Sequence, residues 1–145
     1  MTNESLARSY LKKAADRLKV LDVLLAEHAY SDVVREAQEL VELALKGMLR
    51  AVGIEPPKLH DVGGLLIEHT DRFPLGIRND LSELAAISRE LRKERELAFY
   101  GDVDFIPTEE YDVTDAQRAR QQAERVLHAA RQVIQGDSNE SDSSA

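Results

Sequence analysis

Apolar residues recur every three or four positions along almost the whole chain, which is the period of an amphipathic α-helix. The first stripe of this kind runs from Leu6 to His28, and the second runs from Val33 to Val52. Gly53 follows the second stripe at a position typical of a helix C-terminus, and Pro56-Pro57 prevents the helix from resuming. The short link at 29–31 favours an antiparallel pair of helices.

Three further helices are predicted in the second half of the chain. A short amphipathic stretch from Val62 to His69 follows Asp61, whose carboxylate is suited to capping the first turn. A longer helix covers Asn79–Phe99. Thr114 and Gln117 have the spacing of a capping box and open the last helix. Because no alternating strand pattern is present, the sequence predicts an all-α fold. The predicted architecture is an antiparallel up-and-down bundle of four main helices plus a short helix.

The ends of the pattern divide the chain into two parts. Residues 1–135 are predicted to form one helical domain, which a chain of 145 residues can accommodate. Within it, the segment from Gly101 to Tyr111 lacks a clear period and is predicted to be irregular. Residues 136–145 are acidic and have no apolar face, so the sequence predicts a disordered tail.

Composition excludes several classes of protein. The chain has no cysteine, which rules out disulfides, thiolate metal sites and a cysteine nucleophile. Its formal net charge of −8 argues against a broad electrostatic surface for nucleic acid. Apolar runs are too short to span a membrane, and the first nine residues lack the apolar core of a signal peptide. We therefore expect no membrane partner and a cytoplasmic location.

Two patterns that could hold a metal or a phosphate are weak. Glu124 and His128 lie four residues apart and share a helix face, but two side chains do not make a metal site, and an ion-pair surface is the simpler interpretation. Gly63-Gly64 lacks the lysine and the spacing of a phosphate-binding loop. The sequence therefore predicts neither a metal site nor a cofactor.

The fourth helix carries an anomaly. When its residues are placed at 100° per step from Leu81, a broad apolar sector is formed by Leu84, Ala85, Ser88, Leu91, Ala98 and Phe99. Arg95 falls near the centre of this sector and Arg92 close to it. Lys93 and Glu94 point elsewhere. An unpaired buried guanidinium is costly, so Arg95 needs a carboxylate partner, a ligand or access to a cleft. The structural alternative is that arginines near a helix C-terminus interact with the dipole while their stems cover apolar surface.

The run from Leu91 to Asp102, LRKERELAFYGD, resembles the signature region of the HEPN family (higher eukaryotes and prokaryotes nucleotide-binding domain). The resemblance extends over nearly the whole chain apart from the tail, and it depends on the order of several short motifs. Those outside the fourth helix are Gln38, Glu42, Ala44, Leu45 and Lys46 in the second helix, Pro56-Pro57, His60-Asp61, Leu65-Leu66 and the alanine-rich last helix.

The resemblance implies a small helical bundle that forms a homodimer, with the signature helices facing each other across a cleft. Many members of the family are metal-independent ribonucleases, in which an arginine followed by a histidine after four to six residues forms the active site. It also implies a two-component toxin–antitoxin module, in which the HEPN chain is commonly the ribonuclease and a minimal nucleotidyltransferase is its partner.

The chain departs from that pattern because Tyr100 stands where a nuclease would have the histidine. A phenol, with an ordinary pKa near 10, is a poor general base at neutral pH. The resemblance therefore implies Arg95 and Tyr100 as candidate catalytic residues and Arg92, Arg95 and Asp102 as candidate phosphate- or nucleotide-binding residues. Two hypotheses remain: binding of a nucleotide or RNA phosphate in a dimer cleft, or a non-catalytic dimerisation or adaptor bundle in which the arginines pair with carboxylates across the interface.

Overall fold

The computed structural model describes residues 2–56, 58 and 62–144, with side chains described as far as Gly136. All of the regular structure in these residues is helical, which confirms the predicted all-α fold. The helices are α1 (Asn3–Ala26), α2 (Tyr30–Ala51), α3 (Val62–Glu68), a 3-10 turn (Thr70–Arg72), α4 (Leu75–Arg78), α5 (Leu81–Phe99), α6 (Pro107–Glu110) and α7 (Val113–Ser144).

Contacts between the long helices show the up-and-down order. Arg50 near the end of α2 donates to Asn3 at the start of α1, with 3.2 Å between Nη1 and Oδ1, so these helices are antiparallel. The guanidinium of Arg95 on α5 lies 2.9 Å from the carboxylate of Glu39 on α2. The guanidinium of Arg35, one turn before Glu39 on α2, lies over the ring of Phe99, one turn after Arg95 on α5. Therefore α2 and α5 are antiparallel as well.

The core is built from aliphatic side chains and small residues, as the low aromatic content requires. α2 is the central helix and packs against α1, α5 and α7, whereas α3 packs on α5. Phe73 is the largest of the fully buried side chains and lies at the turn that leads into α4. Because α5 rests mainly on α2 and α3, its C-terminal half has fewer covering elements than a four-helix bundle would supply.

The predicted helix ends are partly confirmed. Gly53 follows α2 with a φ of 84°, the left-handed conformation that glycine adopts easily. The second helix begins at Tyr30, so two residues of the predicted link belong to it. Asp61, the predicted cap of the third helix, lies outside the described residues. α4 and α6 are single turns in segments that the sequence left without regular structure.

The capping box of the last helix is formed by different residues from those predicted. Asp112 and Asp115 cap each other's backbone, because each N–H donates to the other residue's carboxylate at 3.0 Å. The prediction of Thr114 and Gln117 was wrong because the helix starts at Val113, before the predicted cap. The helix also continues to Ser144, beyond the predicted boundary at 136. The predicted disorder of 136–145 remains a prediction, since the side chains after Gly136 are not described.

We expect the cap to make stability depend on pH. The backbone N–H of Asp115 holds the pKa of Asp112 below its ordinary value in the folded chain. The stabilisation is therefore present above the unfolded-state pKa, about 3.9, and is lost as the pH falls through the folded-state pKa. Asp112→Asn keeps an N-cap acceptor but does not titrate. In thermal unfolding, the Tm difference between wild type and Asp112→Asn should favour wild type at pH 7 and shrink at pH 3. A difference that is independent of pH would contradict this account.

Among the described helices, none combines the length and the hydropathy that a membrane span requires.

Candidate functional site: a cationic cleft between α2 and α5

An open cleft of about 520 Å³ lies between α2 and the C-terminal half of α5. It exists because α5 continues past the elements that cover its first half, so the last turns of its inner face are open to solvent. The helical period identified the inner face correctly, since Leu81, Leu84, Ala85, Ser88, Leu91 and Ala98 are buried. Phe99, which the sequence placed in the same sector, is instead 45% exposed at the edge of the cleft.

The cleft is positively charged although the chain is acidic. Among the described residues, five cationic side chains and two carboxylates line it, in a protein whose formal net charge is −8. The cations come from three segments, so the fold brings together charges that are far apart in the sequence. The lining residues are Arg35, Lys58, Arg92, Lys93, Arg95, Glu42, Glu96, Gln38, Phe99 and Tyr100.

The sequence analysis required a carboxylate partner, a ligand or access to a cleft for Arg95. The structure shows a carboxylate partner and access to a cleft. Its Nη2 lies 2.9 Å from Oε1 of Glu39, and its side chain is 47% exposed in the cleft. The predicted burial is therefore incomplete, because none of the described helices covers the side of Arg95 that faces the cleft. The carboxylate partner belongs to the same chain rather than to the far side of an interface. A guanidinium has five N–H donors in a fixed plane, and the ion pair with Glu39 leaves others for a ligand.

Tyr100 lies beside the arginines at the end of α5. Its N–H donates to the carbonyl of Glu96 at 2.8 Å, so the helical geometry continues for one residue beyond Phe99. The phenol ring packs edge-to-face on Phe99 with 4.7 Å between centroids and is otherwise open, at 76% exposure. Arg92, Arg95 and Tyr100 thus line one cleft, as a shared site requires.

Asp102 occupies a different place. It follows Gly101, lies outside the lining of the cleft, and pairs with Phe105 across a tight turn. Its carboxylate accepts the N–H of Val103 at 2.6 Å. Asp102 therefore stabilises the turn that leaves α5, and the structure does not bring it together with the arginines.

The turn is also tied to the opposite side of α5. The Tyr111 hydroxyl donates to the Glu94 carboxylate, and burial together with this contact raises the pKa of the phenol above its ordinary value. Phe105 packs edge-to-face on Tyr111 with 5.6 Å between centroids. The segment between α5 and α6 is thereby held against the helix, which fixes the direction in which Tyr100 leaves it.

Sequence reasoning missed the contribution of α2 and misplaced Lys93. Arg35 lies over the Phe99 ring with 4.3 Å from its guanidinium carbon to the ring centroid, and Gln38 is almost fully buried at the floor of the cleft. Lys93 was predicted to point away but lines the cleft, because a long flexible stem reaches around the helix. The detectable signal was the stripe of polar residues on α2 at positions 35, 38, 39 and 42. Gln38 and Glu42 were part of the family resemblance, but neither was assigned a role in the site.

The weaker candidates have ordinary structural roles. Glu124 accepts from Arg120 at 2.7 Å, which confirms the ion-pair interpretation, and His128 is exposed on α7. No group of three or more possible metal ligands is found within the described part of the chain.

Comparison with known proteins identifies the family. The family model described as HEPN domain matches residues 7–135, which is nearly the whole described chain. The chain belongs to the HEPN family. Its fold is similar to that in the crystal structure of TT1696 from Thermus thermophilus, with a TM-score of 0.68 and 23% sequence identity over 87% of this chain and 96% of that one. No curated protein matches the sequence significantly. The residues that match the HEPN model include both of the helices that line the cleft.

Proposed function

We propose that this chain is a cytoplasmic HEPN protein that binds the phosphate group of a nucleotide or of RNA in the cleft between α2 and α5. The proposal includes a homodimer, and a two-component module with a minimal nucleotidyltransferase as the setting. The observation that carries it is the convergence of Arg92, Arg95 and Tyr100 in one cationic cleft on an acidic protein.

The chemistry of the lining suits a phosphate and a base. Arginine binds phosphate through paired N–H donors in a planar fork, and Arg95 keeps part of its fork exposed beside its ion pair. Phe99 and Tyr100 supply exposed aromatic surface on which a base can stack. Because a phenol replaces the histidine of the nuclease pattern, the proposal is one of binding, and strand cleavage is not part of it.

An exposed apolar surface supports the dimer. Side chains at the end of α5 and in the segment after it are open to solvent, with Val103 91% exposed and Tyr100 76% exposed. Large apolar side chains clustered at one end of a helix are typical of an association surface. The other exposed apolar side chains at this end of α5 and in the segment after it are Leu97, Phe99 and Ile106. A second copy on this surface would place two cationic clefts near each other, and light scattering on the full chain tests this part of the proposal.

The proposal is tested by replacing the central guanidinium. We expect Arg95→Ala to weaken the binding of UMP and AMP at least about tenfold, because a charged hydrogen bond to phosphate is lost. Binding would be measured by isothermal titration calorimetry up to millimolar ligand. Arg8→Ala is the matched control, since Arg8 is also an exposed arginine with one carboxylate partner, Glu4 at 3.0 Å, but lies on α1 away from the cleft.

The adaptor hypothesis predicts that Arg95→Ala changes stability or association and has no effect on nucleotide binding. The ion pair between Arg95 and Glu39 favours it, because a guanidinium that links two helices has a structural role without any ligand. Under that hypothesis Arg95→Ala lowers the Tm or dissociates the dimer, and wild type binds neither nucleotide at millimolar concentration. That result would remove the phosphate-binding proposal.

A further inference from the structure

A second cleft, of about 490 Å³, lies beside the C-terminal end of α2 and the first half of α1. Lys46 and Arg50 line it from α2, Tyr10 lines it from α1, and Lys58 lines it from the segment after α2. Lys58 also lines the cleft that holds Arg95, so the two clefts meet at this lysine.

The lining of the second cleft is cationic and aromatic. Among the described residues, three cations and one carboxylate, that of Glu55, line it, and Lys46 also pairs with Glu42 at 3.4 Å. The Arg50 guanidinium carbon lies 5.9 Å from the centroid of the Tyr10 ring. Its Nη1 donates to Asn3. Its Nε is buried and has no acceptor among the described residues. Because this nitrogen is buried it is out of reach of a ligand, and the attraction of the three cations is what favours an anion in the cleft.

The helix dipole accounts for only part of this arrangement. Arg50 lies in the last turn of α2, where a cation interacts favourably with the exposed carbonyls. The dipole explains neither why Lys58 is added from another segment nor why that lysine also lines the cleft that holds Arg95. An extended anion that occupies both clefts explains both features.

We propose that the second cleft is a subsite for another phosphate of a single-stranded nucleic acid whose first phosphate is held at Arg95. This inference rests on the proposed function. Glu39, which pairs with Arg95, precedes Lys46 by seven residues and Arg50 by eleven, so helix geometry separates the subsites by about 10–16 Å. At the rise of a stacked strand, about 3.4 Å per nucleotide, about three to five nucleotides cover that distance, and fewer do so in an extended strand. A mononucleotide occupies one subsite, and a short strand occupies both.

The test compares one ligand that fits a single cleft with one that spans both. UMP and a hexamer of 2′-O-methyl uridine would be titrated into the full chain at several salt concentrations. The methylated 2′-oxygen cannot attack the neighbouring phosphate, so the hexamer resists that route of cleavage. Wild type should bind the hexamer more tightly than UMP. Lys46→Gln and Arg50→Gln should each weaken hexamer binding about tenfold and leave UMP binding within about twofold.

The salt dependence of hexamer binding and a control variant at another lysine show whether a lost affinity reflects a lost phosphate contact. Each lost phosphate contact should make the slope of log affinity against log salt shallower by about 0.7 for the hexamer. Lys12→Gln is the control, because Lys12 also pairs with a carboxylate four residues away on its helix, Asp16 at 3.0 Å, but lines neither cleft. Because Lys46→Gln and Arg50→Gln are tested separately, the proposal can still be tested if one of them fails to fold. Circular dichroism shows whether each variant is folded.

The outcomes separate this inference from the proposed function. If UMP binds and depends on Arg95, but the hexamer binds no more tightly or is insensitive to Lys46→Gln and Arg50→Gln, the second subsite is wrong and the proposed function stands. If UMP and the hexamer both fail to bind to wild type, the proposed function fails and the subsite fails with it.

Discussion

Gly101→Ala should lower the free energy of unfolding by about 3 kcal/mol and the Tm by roughly 10 °C. Gly101 has a φ of 72°, where a residue with a Cβ is strained by about 1–2 kcal/mol. A Cβ on this residue would also lie 2.4 Å from the Phe105 carbonyl oxygen and 2.5 Å from Cδ of Pro107. The oxygen belongs to the backbone and the Cδ to a rigid ring, so the turn itself would have to open.

The measurement is urea unfolding followed by circular dichroism, with Gly76→Ala as the matched control. Gly76 lies in α4 with nothing within 4 Å of a built Cβ, and alanine is the better helix former. We expect the control to be neutral or slightly stabilising. If the two variants were equally stable, the turn after α5 would have to be looser than the structure shows, and the placement of Tyr100 would no longer be explained by it.

The helical period predicted the inner face of α5 correctly but not how much of that face is covered. Periodicity reports the direction of each side chain around the helix axis, and it placed Leu84, Leu91 and Ala98 in the core. It contains no information on where the neighbouring helices end. The last turns of α5 extend beyond that cover, so Arg95 and Phe99 lie half-exposed at a cleft instead of within the core.

The partners of the cleft residues could not be predicted from spacing, because they come from other segments. Arg35 and Glu39 precede Phe99 and Arg95 by more than fifty residues, and only the antiparallel register of α2 and α5 brings the pairs together. Local signals were more informative where the interaction is itself local. Even there, the capping box is formed by Asp112 and Asp115 and not by the predicted Thr114 and Gln117. Aspartate is at least as good an N-cap as threonine.

The second large effect concerns Gly63, which the sequence excluded from a phosphate-binding loop without assigning it another role. The structure shows a close approach of α3 to α5, because a Cβ on Gly63 would lie 2.9 Å from Cα of Ala85 and 3.1 Å from its carbonyl oxygen. Both atoms belong to the backbone of a long helix, so α3 would have to move away as a unit.

We therefore expect Gly63→Val to lower the free energy of unfolding by about 3 kcal/mol, and Gly63→Ala to have a smaller effect because alanine's helix propensity partly offsets the overlap. Gly76→Val, at an open helical position, should change it by no more than about 0.5 kcal/mol. Urea unfolding of the three variants gives the comparison. A cost that does not increase from alanine to valine would show that α3 is not packed tightly on α5, since overlap with a fixed backbone must grow with side-chain volume.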